Sequence, residues 1–230
     1  MNLDTRLREE LCQVCRLLYD RGYVVGHDGN VSVRLGEGCL LITPSGVSKG
    51  RLEPDMLVVC DLEGRVLEGN RYPSSEMAMH LLIYQERPDV GAVVHAHPPV
   101  STAFAIRQKP LKEKYLTETI GGLGEVPVAP FAMPSTREVP ESIRPFAADH
   151  SAVLLANHGA LTWGADLWAA FDRMETVEQT AKIYAAVQQL GGGVELTREQ
   201  TERLLALSGR YKKLAGRREP EKEDRDRGAP

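Results

Sequence analysis

The sequence predicts an α/β fold, one domain in which helices cover a central sheet to make three layers. Three observations predict it. Short β-branched runs alternate with long amphipathic segments, clusters of Gly, Pro, Asn and Ser separate them, and no internal repeat or interior linker divides the chain. With 230 residues, 42% of them hydrophobic, the chain carries enough apolar surface for one sizeable core.

Residues 3–21 place Leu7, Leu11, Val14, Cys15 and Leu18 at helical spacing, which predicts an amphipathic helix. The turn cluster GHDGN at 26–30 feeds the alternating run VSVRL, and CLLIT at 39–43 reads as its hairpin partner, closed by Pro44-Ser45-Gly46. A buried strand is expected over 56–61, with a turn at Glu63-Gly64 behind it. Residues 74–87 form the next helix, with Met77, His80, Leu81 and Tyr84 at compatible spacing, and Pro88 stops it. VGAVVHAH at 90–97 reads as a strand halted by Pro98-Pro99, and residues 100–107 as a helix. A Gly- and Pro-rich stretch at 121–134 contains the short strand candidate EVPVAPF, and a helix is expected near 137–148. AVLLAN is then a buried strand and HGALTWG its hairpin-like return. The strongest helix runs over 166–190, on a face of Leu167, Trp168, Phe171, Met174, Val177, Ala181, Tyr184 and Val187, and Gly191-Gly192-Gly193 ends it. A last short helix is expected over 197–208. One domain over 1–212 is thus followed by a charged tail over 213–230 too poor in apolar residues to pack, and that tail is expected to be disordered.

A net charge of −4, with no basic cluster, argues against nucleic acid as a partner. No run of eighteen apolar residues is present to span a membrane, and the N-terminal MNLDTRLREE carries charges where a signal peptide needs an apolar run. Four cysteines in a domain of this size fit a reducing compartment, so a cytoplasmic location is expected. Cys12 and Cys15 form a lone CxxC on the apolar face of the first helix, where they read as core residues rather than as a redox pair.

His95-Ala96-His97 stands at the end of a strand, where residues two apart share a face and both imidazoles converge. An HxH alone is a weak signal. His158, after the strand AVLLAN and before Gly159, also stands at a strand end, where α/β sheets place their chemistry. Three histidines suit a divalent ion, zinc first, with manganese or cobalt as alternatives, and leave a coordination position open, as in catalytic sites. His27, His80 and His150 lack such partners and read as ordinary residues. Pro73-Ser74-Ser75-Glu76 opens a helix: Ser74 or Ser75 can cap it, and Glu76 falls in the first turn, where the helix dipole favours a negative charge. Free N–H groups and two hydroxyls make the same place a natural anion site. Gly29-Asn30 and Ser45-Gly46 end two other turns, and the three clusters together can cradle a phosphate. No GxxxxGK[ST] is present, which argues against nucleotide hydrolysis.

GNVSVR, LITPSG, PSSE, VVHAH and LLANHG, in this order within roughly residues 5–190, resemble the class II aldolase and adducin family, whose type activity is cleavage of L-fuculose 1-phosphate. The resemblance implies a mostly antiparallel central sheet, a homotetramer of fourfold symmetry and an active site at each subunit interface. It implies that His95, His97 and His158 bind zinc and that Glu76 is an acid/base that also ligates the resting ion. Gly29-Asn30, Ser45-Gly46 and Ser74-Ser75 match its phosphate-binding segments. Tyr115 falls where the family has a tyrosine reaching into a neighbour's site, and Tyr211 matches a C-terminal tyrosine by position. The implied reaction is retro-aldol cleavage of a ketose 1-phosphate into dihydroxyacetone phosphate and a short aldehyde. For that work the Glu76 carboxyl is expected to be shifted toward neutrality by burial near the substrate phosphate. Three other readings share the resemblance: a sugar-phosphate 4-epimerase, which usually carries Asp where this chain has Glu76; a methylthioribulose-1-phosphate dehydratase; and a non-catalytic scaffold like the adducin head, which loses the metal ligands. Two departures bear on substrate choice: His27-Asp28 stands where the family often has small residues, and the tail beyond Tyr211 is longer and more charged.

Overall fold

In the computed structural model residues 3–36 and 38–215 are described, apart from the side chains of residues 3 and 208–215. Helix α1 spans Leu3–Asp20, strands β1 and β2 span Asn30–Arg34 and Cys39–Ile42, and β3 and β4 span Val58–Asp61 and Val66–Glu68. Then come α2 (Met77–Glu86), β5 (Ala92–Ala96), α3 (Pro99–Ile106), β6 (Val128–Ala129) and α4 (Glu138–Ala147). Strands β7 (Ala152–Leu155) and β8 (Gly159–Gly164) precede α5 (Leu167–Gln189) and α6 (Arg198–Ala215). The eight strands form one sheet in the order β4-β3-β2-β1-β5-β8-β7-β6. Every neighbouring pair is antiparallel except β6 with β7, which is parallel.

Because successive strand residues face opposite sides, the sheet buries two separate apolar faces. Val31, Val33, Ala92, Val94 and Ala160 pack with Leu11, Val14, Cys15 and Leu18 of α1, Phe104 of α3 and Phe171, Met174 and Val177 of α5. Leu40, Ile42, Val93, Val153, Leu161 and Trp163 pack on the other side with Met79, Leu82 and Ile83 of α2 and Val139 and Ile143 of α4. Helices therefore cover each face. Cys15 is fully buried within the first cluster, where desolvation pushes its thiol up, and Cys12 packs at its edge with a thiol pushed up to about 11. Both are protonated core residues at neutral pH. Among the described residues no helix is long and apolar enough to cross a membrane.

Four local features differ from the sequence reading. Strand β4 was not expected, because Val66, Leu67 and Glu68 are all exposed and give no alternation. A single π-helical turn at Thr119–Leu123 interrupts the Gly-rich stretch. Helix α2 begins at Met77 rather than at residue 74, since Pro44 and Pro73 form a β-bridge and Ser74 N–H donates to Thr43 O, which keeps the preceding residues extended. Helix α6 runs past residue 208, and it starts on a reciprocal capping box in which Gln200 N–H donates to Thr197 Oγ1 and Thr197 N–H to Gln200 Oε1. Tyr211 falls in its backbone with a side chain outside the described residues; of the tail expected over 213–230, residues 213–215 continue the helix backbone and the rest lies outside the described residues.

Candidate metal centre

The centre forms at one end of three adjacent strands. Asn30 opens β1 and pairs with His95 near the end of β5, while Ala96 pairs with Ala160 near the start of β8. Antiparallel directions bring these three strand ends together. His95 lies in β5, His97 just beyond it, and His158 in the tight turn between β7 and β8. Asn157, just before His158, is left-handed at φ 58, a conformation an Asn side chain tolerates in such a turn.

The three histidines converge as the strand spacing requires. Their candidate ligand nitrogens all lie within 4.8 Å of one another, and Nε2 of His95 and Nε2 of His97 are 3.1 Å apart. His95 is fully buried, and its Nδ1 is 2.9 Å from the Ala160 carbonyl, which accepts its N–H and leaves Nε2 as the free lone pair. Burial pushes His97 and His158 down to about 4, so both are neutral and competent as ligands at neutral pH. Two glycines permit this packing. Gly29, at φ +70, leaves room where a Cβ would sit 2.8 Å from the His95 carbonyl, and Gly159 lies where a Cβ would sit 2.6 Å from Cδ2 of His97.

Glu76 completes the group. Its Oε2 is 3.3 Å from Nε2 of His95, its Oε1 3.3 Å from Nε2 of His158, and the Asn30 amide donates to Oε2 at 3.1 Å. Oε1 is buried and has no hydrogen-bond partner. A buried carboxylate oxygen left without a donor, facing imidazole lone pairs, is costly unless a cation stands between them. The donor set of three nitrogens and one carboxylate therefore fits a divalent ion of the zinc type.

Two expectations about this segment need correction. Glu76 itself occupies the N-cap position of α2, and Ser74 instead accepts the Glu76 N–H at 3.3 Å, a short local turn in place of a helix cap. The carboxyl is not raised toward neutrality: burial pushes it up, but the adjoining His95 and His158 rings, in the forms that carry a second proton, and the Asn30 amide outweigh burial. They hold it well below the usual carboxylate range.

A cleft of about 370 Å³ opens onto the centre, lined by His97, His158 and Glu76 and by each residue expected to hold phosphate: Gly29, Asn30, Ser45, Gly46, Ser74 and Ser75. The Pro44–Pro73 bridge sets the second and third of these segments side by side. Tyr115 is not among the lining residues; its ring packs edge-on against Tyr184 at 5.3 Å. The sequence reading passed over Lys49, which also lines the cleft. Its buried amine donates to His27 O at 2.8 Å and Val47 O at 2.9 Å, and burial lowers its pKa. His80, read as ordinary, is fully buried and joined to Asn30 behind the centre. Asp28 stands on the cleft wall, with Oδ2 3.6 Å from Nδ1 of His97.

Comparison with known proteins matches residues 9–185 to the Class II Aldolase and Adducin N-terminal domain. A 3-oxo-tetronate 4-phosphate decarboxylase of Haemophilus influenzae is 36% identical over 189 residues, covering 80% of this chain and 90% of that protein. An L-fuculose phosphate aldolase of Methanococcus maripaludis is 37% identical over 174 residues, covering 76% of this chain and 93% of the relative. A solved L-fuculose 1-phosphate aldolase superposes with a TM-score of 0.82 at 34% identity, covering 88% of this chain and 95% of that one.

Proposed function

This chain belongs to the class II aldolase and adducin family, and from that premise we propose that it is a metal-dependent lyase that cleaves a ketose 1-phosphate into dihydroxyacetone phosphate and a short aldehyde. The observation that carries the reading is the unpartnered Oε1 of Glu76, 3.3 Å from Nε2 of His158 in the cluster of three histidines at a polar cleft. Three imidazoles and a carboxylate favour zinc, and manganese or cobalt also suit such a set.

A divalent ion bound there supplies positive charge that polarises the substrate carbonyl and offsets the negative charge that grows as the carbon–carbon bond breaks. The chain's own groups do the rest. Ser45-Gly46 and Ser74-Ser75 hold the phosphate, together with the turn at Gly29. Glu76, once turned away from the imidazoles, loses the contacts that lower its pKa and keeps the burial that raises it. Its carboxyl then rises toward the range in which it can deliver a proton to the carbon where the bond has broken. Tyr115 lies away from its own cleft, which favours a role across a subunit boundary, moving the proton of the hydroxyl that becomes the aldehyde. A homotetramer with sites at its interfaces, working in the cytoplasm, is part of this proposal, and the four free cysteines agree with that compartment.

A second reading draws on the decarboxylase relatives. Loss of carbon dioxide from a 3-oxo-tetronate 4-phosphate leaves the same three-carbon ketone phosphate, so one site serves either bond. Asp28 favours the aldolase: a carboxylate on the cleft wall repels a substrate carboxylate and not a neutral aldehyde half. The test is to offer the metal-loaded protein a panel of ketose 1-phosphates beside 3-oxo-tetronate 4-phosphate and to identify both products. Aldehyde together with dihydroxyacetone phosphate is the expected result; carbon dioxide as the dominant product would overturn the choice. Glu76→Gln is expected to retain the ion and to lose about 10²–10⁴-fold in turnover, the usual weight of a general acid/base.

A further inference from the structure

Behind the centre, two rows of polar side chains face each other inside an otherwise apolar layer. Glu76 at the N-cap of α2, and His80 and Tyr84 within the helix, stand four residues apart and so line one side of it. Asn30, Ser32 and Arg34 stand two apart and share one face of β1, opposite to Val31 and Val33. Four helical residues advance about 6 Å, and two strand residues advance about 6.7 Å. The rows therefore run in step, and they are joined at each level. Asn30 Nδ2 is 3.1 Å from Glu76 Oε2, His80 Nε2 is 2.5 Å from Asn30 Oδ1, His80 Nδ1 is 2.7 Å from Ser32 Oγ, and Ser32 Oγ is 2.8 Å from Tyr84 OH. The Arg34 guanidinium closes the row, 4.9 Å above the Tyr84 ring.

We propose that His80 is a positioning residue: it fixes the Asn30 amide and, through it, aims Glu76 at the metal centre. The proposal rests on the reading of Glu76 as a ligand and acid/base. The direction of every bond follows from chemistry. A carboxylate only accepts, so the Asn30 end that meets Glu76 is its NH2. Asn30 Oδ1 then faces His80, so the imidazole proton is on Nε2. Nδ1 is left to accept from the Ser32 hydroxyl, whose oxygen in turn accepts from Tyr84 OH. His80 and Ser32 are fully buried, and Asn30 is 3% exposed, so no solvent competes for these bonds. Burial also keeps His80 neutral, with its pKa pushed down to about 3. An amide does not relay protons, so the row orients Glu76 rather than conducting to it. With Oε2 held by Asn30, Oε1 is the oxygen left facing His158. Without His80, the amide is free to turn its carbonyl onto the carboxylate and drive it away.

The test uses the protein loaded with cobalt, whose visible spectrum reports the ligands around the ion, together with steady-state kinetics. In His80→Leu the donor to Asn30 is gone. The cobalt spectrum should move toward that of Glu76→Gln, and kcat should fall about 10–100-fold, as when the support of a metal ligand is lost, with KM for the phosphate substrate nearly unchanged. His80→Gln, whose amide can donate where Nε2 did, should restore the spectrum and most of kcat. A wild-type cobalt spectrum in a folded His80→Leu protein overturns the proposal. If His80→Leu does not fold, 15N spectra of the unmodified holoprotein decide: an Nε2-protonated His80 supports the assignment and an Nδ1-protonated one refutes it. The spectroscopic readouts need no turnover. A protein inactive on every ketose phosphate but showing the cobalt shift would sink the proposed reaction alone, whereas an active enzyme without the shift would sink the role of His80 alone.

Discussion

Gly159→Ala tests whether the centre depends on close backbone packing at the start of β8. The added methyl would stand 2.5 Å from the Ala96 carbonyl oxygen and 2.6 Å from Cδ2 of His97. Ordinary contact begins near 3.4 Å, so the methyl is about 0.9 Å too close to the carbonyl and about 0.8 Å too close to the imidazole. The Ala96 carbonyl sits in the β5–β8 ladder, where Ala96 pairs with Ala160, so its clash strains the sheet, while the imidazole swings away. Metal geometry tolerates deviations of about 0.2 Å, so a displacement several times larger takes His97 off the ion. Overpacking of this kind costs about 1–3 kcal/mol of stability, and a displaced or unsupported histidine costs about 10–100-fold in metal affinity. For a chain of this length that stability loss lowers the melting temperature by about 2–12 °C. Melting of the metal-free protein and chelator competition for the ion measure the two effects separately. Gly122→Ala is the control, since a Cβ there meets nothing within 4 Å. Wild-type metal affinity in Gly159→Ala, or an equal loss in the control, would refute the reasoning.

Adding a divalent ion to the stripped protein at 100 times its dissociation constant should stabilise it by about 2.7 kcal/mol, which raises melting by about 5–10 °C; a scan with and without chelator checks this. Stability of the metal-free protein should fall as pH drops from 6.5 to about 4, because His97 and His158 take up protons in the unfolded chain near 6.5 but in the fold only near 4. Above pH 6.5 these two groups contribute no slope, and a melting curve that is flat from pH 7 down to 4 would contradict it. Glu178→Gln should cost about 1–3 kcal/mol: the fully buried carboxylate accepts the Val100 and Ser101 N–H groups at 3.1 and 2.8 Å, and an amide can accept only with its one oxygen. Urea denaturation of wild type and variant measures this loss.

The parts of the centre that follow from local rules were legible in the sequence. His95 and His97 converge because a strand repeats every two residues, and Pro98-Pro99 ends that strand so that the pair stands at a rim. His158 was legible as a strand-end residue, but its approach to the pair depends on β8 lying beside β5, which no local pattern specifies. The start of α2 was misplaced for a related reason, since the two serines look like caps until the Pro44–Pro73 bridge holds their segment extended. Lys49 gave no sign of its burial, because that depends on the loop at His27 folding over its amine. His80 did carry a signal. Glu76, His80 and Tyr84 repeat every four residues on a helix rich in Met, Leu and Ile, while Asn30, Ser32 and Arg34 occupy alternate positions of a strand whose other residues are valines. Each row alone looks like tolerated polarity. Only the sheet topology shows that they face each other.

What holds the ligands in place is largely the apolar pattern of the strands that carry them. Val93 packs on the α2 side of the sheet and Val94 on the α1 and α5 side, so His95 must point toward α2, where Glu76 stands. Leu161 and Trp163 fix β8 in the same way, with Ala160 facing the other cluster. A slip of one residue in β5 would carry His95 to the wrong face and set Val93 and Val94 against the wrong clusters. The register that satisfies the core is therefore the one that assembles the centre, and the hydrophobic alternation constrains the chemistry as firmly as the histidines do. The polar row of Asn30, Ser32, His80 and Tyr84 is the exception within that layer, and its cost is met because its buried members bond to one another. Such a row can turn a carboxylate by a chosen angle, which apolar packing alone cannot do. That is why buried polarity occurs beside Glu76, while the remainder of the α2 layer is closed by apolar side chains.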